Sequence, residues 1–358
     1  MRPAHAEISL AALSANLDVA RRLSGTAEVT AVVKANGYGH GAARILPALA
    51  GAKRLAVAAI EEAVILREAG ARQPILLLEG VFEEDELVLC DRLGFEISIH
   101  EPGQIAMLER ASLTRALPVW LKLDSGMGRL GLRPDAFAAA HARLLDCRNT
   151  ASITLMSHLA SADDPGSSQT RAQLDIVERV FASLPGDRSL ANSAGLMSWP
   201  EARADIVRPG IMLYGVTPMA GRTGVEDGLT PVMTLGTGLI AVKELQPGDT
   251  VGYAASWTAG KRHRIGIAAI GYGDGYPRHA PTGTPVLVDG KRTRLVGRVS
   301  MDMIAIDLDG FGEATGVGAP VTLWGEGLPV EEVAEAAGTI GYELLCGVTA
   351  RVPFRVIA

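Results

Sequence analysis

Between residue 29 and about residue 215, short apolar runs rich in β-branched residues alternate with longer stretches in which apolar positions recur every three or four residues. The first kind of pattern suits a strand buried on both faces, the second a helix with one apolar stripe, and their alternation predicts βα units around a parallel sheet. The predicted strands are Val29–Ala35, Arg54–Ile60, Pro74–Leu78, Glu96–His100, Pro118–Leu123, Ser152–Ser157, Arg188–Ala191 and Asp205–Val207. Helical patterns fall at Glu61–Ala69, Glu84–Leu93, Pro134–Leu145 and Ser168–Leu184. Eight units predict a (β/α)8 TIM barrel rather than an open doubly wound sheet.

The pattern changes after Gly215. Gly and Pro become frequent, helical spacing nearly disappears, and strand-like runs follow at short intervals: Met233–Val242, Arg264–Ile270, Pro285–Val288, Arg294–Val299, Met303–Leu308 and Pro320–Trp324. This predicts an all-β, barrel-like C-terminal domain with one helix at Val330–Ala337. The break falls in the polar stretch Met219–Gly228, dividing the chain into an α/β domain at 1–228 and a β-domain at 229–358.

A chain of 358 residues, 48% hydrophobic, is long enough for two such domains. Its net charge of −6, with Lys and Arg scattered, offers no basic surface for nucleic acid. Apolar runs are strand-sized, so no membrane span is expected. The opening MRPAHAEISLAAL has no secretory pattern, and the three cysteines, Cys90, Cys147 and Cys346, suit neither a disulfide framework nor a zinc site. A cytoplasmic protein without metal is expected.

In a (β/α)8 barrel the chemistry lies where strands run into the following loops. Polar residues gather there: Lys34, Lys122 with Asp124, His158, Asn192 with Ser193, and Arg208. A lysine at a strand end is ordinarily solvated. Lys34, however, follows three apolar residues of a strand buried on both faces and should enter an enclosed mouth, the setting in which an amine becomes a nucleophile. Ser193, Gly210, Ile211 and Tyr38 supply the hydroxyls and backbone donors that a phosphate needs.

The segments AVVKANGYGHG, LKLDSGMGRLG, NSAG, RPGIMLYG, VGYAASW, IGYGDGYPR, GRVSMDM and YELLC, in that order, resemble those of the alanine racemase family, fold-type III pyridoxal-phosphate enzymes, over essentially the whole chain. Gly37 stands where many members carry Ala. The resemblance implies that pyridoxal 5'-phosphate is the cofactor, that Lys34 is the Schiff-base lysine and the base on one face, and that Tyr253, from a partner subunit, is the base on the other. Inversion through a planar state does require acid–base groups on opposite faces. By the same resemblance His158 links Tyr253 to Arg208, and Arg208 faces the pyridine nitrogen. Arg129 grips the substrate carboxylate. Met301 and Asp302 complete the substrate end from the partner, Tyr342 reaches the phosphate, Tyr272 lines the channel, and Lys122 is carbamylated. A homodimer with shared active sites follows. Two alternatives stand beside this reading, a fold-type III decarboxylase acting on basic amino acids and a non-catalytic cofactor carrier on the same barrel. A racemase of broader specificity is a third, because one extra methylene or hydroxyl is poorly rejected by pocket shape.

Overall fold

The structure, a computed structural model, describes residues 2–357. A first strand, β1 (His5–Ser9), is followed by eight parallel strands: β2 (Glu28–Val32), β3 (Arg54–Val57), β4 (Ile75–Leu77), β5 (Phe95–Ile99), β6 (Leu117–Lys122), β7 (Thr150–Met156), β8 (Asp187–Ser189) and β9 (Ile206–Val207). They close into a barrel in sequence order, with β9 pairing back onto β2 through Glu28 with Ile206 and Val29 with Val207. β4 and β5 are buried at every position, as strands sandwiched between a barrel interior and a ring of helices must be.

Local sequence sets the helix starts. Ser9 Oγ accepts the Ala12 N–H at 3.1 Å and caps the helix Leu10–Ser24, and Ser167 Oγ accepts from Thr170 at the head of Ser168–Phe181. Pro102 and Pro134 occupy the first turns of their helices, where a missing N–H costs nothing. The predicted amphipathic segments all lie on helices: Ile60–Glu68, Glu84–Leu93, Pro134–Asp146 and Ser168–Phe181.

The second region holds β10 (Met233–Leu245), a small hairpin of β11 (Thr250–Val251) and β12 (Trp257–Thr258), then β13 (His263–Ala268), β14 (Pro285–Val288), β15 (Lys291–Val296), β16 (Ile304–Asp307), β17 (Pro320–Trp324) and β18 (Phe354–Ile357). Antiparallel pairings run β10–β13–β16–β15–β14–β17 and return to β10, a closed ring. The long strand β10 makes closure possible, pairing with β17 through its first half and with β13 through its second.

Two features depart from the sequence reading. β1 is not part of the first domain: it runs antiparallel to β10 and parallel to β18, so residues 5–9 belong to the second sheet. This pairing joins opposite ends of the chain and leaves no local periodic signal. The β-rich region also has a second helix, Gly341–Cys346, after the expected one at Val330–Ala337. At six residues it is too short for apolar periodicity to show. It packs on the barrel mouth so tightly that a Cβ on Gly39 would lie 2.1 Å from the Leu345 carbonyl oxygen.

Candidate active site

The barrel mouth encloses a cavity of about 300 Å³ lined by Lys34, Tyr38, Lys122, Arg129, His158, Asn192, Ser193, Arg208, Gly210, Ile211 and Tyr342, together with Glu79. Eleven residues named from the sequence thus meet at one place, from five barrel strand ends and the Gly341–Cys346 helix, with Glu79 from a sixth strand end. A larger, more open hollow of about 780 Å³, lined by Asp18, Arg21, Glu28 and Lys53 among others, shares no residue with it.

The chain leaves β2 at Val32 and enters a left-handed turn immediately after Lys34: Ala35, Asn36, Gly37 and Tyr38 have φ of 52°, 53°, 65° and 49°. Only Gly37 adopts this freely. Each of the others costs roughly 1 kcal/mol or more, so the surroundings must hold it. They do so through Asn36, whose Oδ1 accepts from Ala42 N at 2.9 Å, and through Glu62, whose two oxygens accept from Asn36 N and Ala58 N. Backbone bonds from Gly37 N to Val33 O and from Gly39 N to Ala35 O, 2.8 and 2.9 Å, close the turn. The effect is to project Lys34 and Tyr38 from one tight corner into the same cavity.

Arg208, 4% exposed, is fixed by donation from Nη1 to Ser189 Oγ at 2.6 Å and from Nη2 to Ser157 O at 2.7 Å. Burial brings its pKa down to about 10, still protonated near neutrality. Its Nη2 lies 3.4 Å from His158 Nδ1. His158 is held well below its ordinary pKa by burial first and then by Arg208, Lys122, Arg129 and Lys34, so its ring is neutral. Lys122, 8% exposed, is pushed down to about 8 by burial and by Arg208, Arg129 and Lys34, with Glu79 opposing.

Arg129 sits on a loop organised by Asp124. Burial disfavours that carboxylate's charge, but N–H groups of Gly126, Gly128 and Met127 hold it below its ordinary pKa, with Asp124 Oδ1 at 2.9 to 3.1 Å from the three nitrogens. At the opposite side, Ser193 Oγ accepts from Gly210 N at 2.9 Å and Met212 N at 3.3 Å, at the start of the helix Ser193–Ser198 that Asn192 caps. Glycine at 210 leaves room for the Tyr38 hydroxyl, which a Cβ there would meet at 2.4 Å and displace. The residues therefore fit a phosphate, with the Ser193 hydroxyl, the backbone N–H groups after β9 and the Tyr38 and Tyr342 rings lining one side of the cavity.

Tyr253, Tyr272, Met301 and Asp302 stand outside this cavity. Tyr253 is 67% exposed, and Tyr272 and Met301 are also exposed. Asp302 accepts from Arg351 Nη2 at 2.5 Å. Within one chain the line from Arg208 to His158 does not continue to Tyr253. Glu79 is the cavity residue that sequence reasoning missed. Its signal was present, a carboxylate directly after the apolar run of β4, the same cue that singled out the other strand ends.

A lysine amine enclosed beside a cradle of hydroxyls and backbone N–H groups is the equipment of a barrel enzyme that forms a Schiff base with a phosphorylated carbonyl compound. The models of the alanine racemase N-terminal and C-terminal domains match residues 8–218 and 232–356. The chain belongs to the alanine racemase family. It is 49% identical to the alanine racemase of Shewanella oneidensis over 97% of both chains. It superposes with TM-score 0.97 and 48% identity on the biosynthetic alanine racemase of Pseudomonas aeruginosa, over the whole of each chain. The alanine racemase of Bartonella henselae, solved with covalently bound pyridoxal phosphate, gives 0.90 at 30% identity, again over the whole of both.

Proposed function

We propose that the chain racemises alanine by a two-base route in which Lys34 acts on one face of the substrate and Tyr253, from a second copy of the chain, on the other. The reaction is the interconversion of L- and D-alanine, an isomerisation, with pyridoxal phosphate as cofactor. The observation that carries the residue assignment is the single cavity that gathers Lys34, Arg129, Arg208 and the Ser193–Gly210 cradle.

When bound, the cofactor supplies an electron sink that makes the substrate's α-proton labile. The chain does the rest. Ser193, the N–H groups of Gly210 and Ile211, and the hydroxyls of Tyr38 and Tyr342 hold the phosphate. Arg208, which keeps its proton, would face the ring nitrogen, leave it unprotonated and so restrain the sink. Arg129 takes the substrate carboxylate, since a guanidinium matches a planar anion. Lys34 Nζ removes or returns the α-proton on one face, and the Tyr253 hydroxyl does so on the other, its charge steadied through His158 and Arg208. Met301, Asp302 and Tyr272 close the substrate end and its channel. The cavity's charge balance, Lys34, Lys122, Arg129 and Arg208 against Glu79, suits two anions and disfavours the distal amine of a decarboxylase's basic substrate.

Lys122 belongs to the same picture. With a pKa near 8 a fraction of it is neutral amine near neutrality, and that form attacks the carbon of carbon dioxide and loses a proton to give a carbamate. That converts a third cation beside Arg129 and Arg208 into an anion that steadies them.

The exposed Tyr253 calls for a homodimer in which each β-region meets the other copy's barrel mouth. Among the described residues no helix is long and apolar enough to cross a membrane. A cytoplasmic enzyme whose D-alanine feeds peptidoglycan, or which opens alanine to catabolism, completes the reading. The first test is conversion of L- to D-alanine by purified protein with pyridoxal phosphate. Turnover that is lost in Lys34→Ala supports the reading. Wild-type protein that binds the cofactor but leaves alanine unchanged overturns it.

A further inference from the structure

Beneath the cofactor cradle lies a histidine that none of the chemistry above employs. His40 is fully buried, and its Nδ1 lies 3.0 Å from Gly37 O and 2.9 Å from Tyr38 O, the two carbonyls that end the left-handed turn after Lys34. Both neighbours are acceptors, so Nδ1 must carry the proton. Burial pulls the ring's pKa down to about 4, against the two carbonyl bonds, so the imidazole is neutral. Its Nε2 finds no hydrogen-bond partner among the described residues. The ring begins a stack: His40 lies 4.7 Å from Tyr214, Tyr214 4.8 Å from Tyr38, and Tyr38 6.0 Å from Tyr342. Tyr214 Oη donates to Val32 O at 3.1 Å, two residues before Lys34.

We infer that His40 is a positioning residue: its Nδ1–H clamps the left-handed turn while its ring seats the tyrosine stack, so that Lys34 and the Tyr38 hydroxyl keep the spacing the cofactor requires. The inference rests on the cofactor reading above. Its logic is that of a strained backbone, which persists only where its neighbours over-determine it. Asn36 and Glu62 hold the start of the turn, and His40 holds its end. Without the donor, the end of the turn at Gly37 and Tyr38 loses a restraint that Asn36, Glu62 and the backbone bonds do not replace, and the spacing of Lys34 and Tyr38 loosens.

Three variants divide the donor from the ring. His40→Phe keeps the ring and removes the donor. His40→Asn places an amide N–H near the Nδ1 position without the ring. Ala35→Gly in the His40→Phe background makes the left-handed conformation free. The readouts are the Kd for pyridoxal phosphate titrated into cofactor-free protein, amide hydrogen exchange at Gly37, Gly39 and Gly41, and kcat and KM for alanine. The expected result for His40→Phe is a Kd raised by about tenfold, with faster exchange at the three glycines and KM nearly unchanged. His40→Asn should recover most of the cofactor affinity, and so should Ala35→Gly with His40→Phe. A cofactor Kd in His40→Phe equal to wild type, or no recovery in either companion, overturns the inference and assigns His40 to core packing alone. Should His40→Phe not fold, His40→Leu, which also lacks the donor and keeps apolar bulk, takes its place in the same comparison. Wild-type protein that fails to bind pyridoxal phosphate would instead sink the cofactor reading beneath.

Discussion

The barrel mouth and the β-rich region treat their functional residues in opposite ways. Arg208, Lys122 and Ser193 are buried, and Arg208 and Ser193 are held by several hydrogen bonds each, whereas Tyr253, Tyr272 and Met301 project from the second region into solvent. A buried polar group is tolerated only when its partners are supplied by the same fold, so the mouth is complete within one chain. The exposed Tyr253 has no such support within its own chain. Under the proposed two-base route its partners come from another copy, and half of that chemistry then depends on association rather than folding.

The sharpest way to break this contrast begins at Lys34. Lys34→Ala should reduce racemisation by about 10³-fold or more, because it removes both the cofactor anchor and one base. Loss of the cofactor's visible absorbance in the same variant checks the anchor. Tyr253→Phe should lower kcat in both directions by about 10²–10⁴-fold while leaving cofactor affinity intact. Mixing the two inactive proteins under exchange conditions tests the division itself. If Tyr253 acts across the interface, the mixed dimer contains one site with both residues intact and activity returns. Mixtures that stay inactive would place Tyr253 in its own chain's site or outside the reaction.

Arg208→Glu offers a smaller, qualitative effect. It allows the pyridine nitrogen to be protonated, so racemisation should slow while pyridoxamine formation rises, measured by product partitioning. Unchanged partitioning would remove Arg208 from its role. Lys122 sharpens the electrostatic side of the comparison. Its folded pKa of about 8 lies below its ordinary 10.5, so the folded state sheds its proton before the unfolded state does. The destabilisation is fully present below pH 8, shrinks as pH rises through the window between, and is gone near 10.5. In buffer free of carbon dioxide, Lys122→Met should be the more stable protein at pH 7 by up to about 3 kcal/mol, with the gap closing toward pH 10 in denaturant titrations. Bicarbonate should narrow it at neutral pH for wild type alone. The smallest expected effect is at Gly210→Ala, where a Cβ displaces the Tyr38 hydroxyl and weakens cofactor binding by about tenfold.

Much of this site was legible in the chain because strand ends in a (β/α)8 barrel are recognisable by pattern. An apolar run that stops at Lys34, Lys122, His158 or Arg208 announces a side chain at the mouth, and the same cue extends to Glu79. The left-handed turn was less legible. The string Ala35-Asn36-Gly37-Tyr38-Gly39 contains residues that tolerate positive φ, but nothing local says that five in succession adopt it, since Asn36 and Glu62 act across 26 residues. His40 was overlooked for the same reason. Its role depends on Tyr214, which sequence reading treated only as part of a motif.

Legible along the chain are the alternation that builds the barrel, the change of character near residue 215, and the order of motifs that carries the family. These follow from periodicity and local chemistry, which act between near neighbours. Only the tertiary structure decided that β1 belongs to the far sheet, that the ring β10–β13–β16–β15–β14–β17 closes, and that Tyr342 comes to the mouth on a six-residue helix while Tyr253 does not come at all. Each of those is set by pairing and burial between segments distant along the chain, where the free energy lies in contacts that no local pattern encodes.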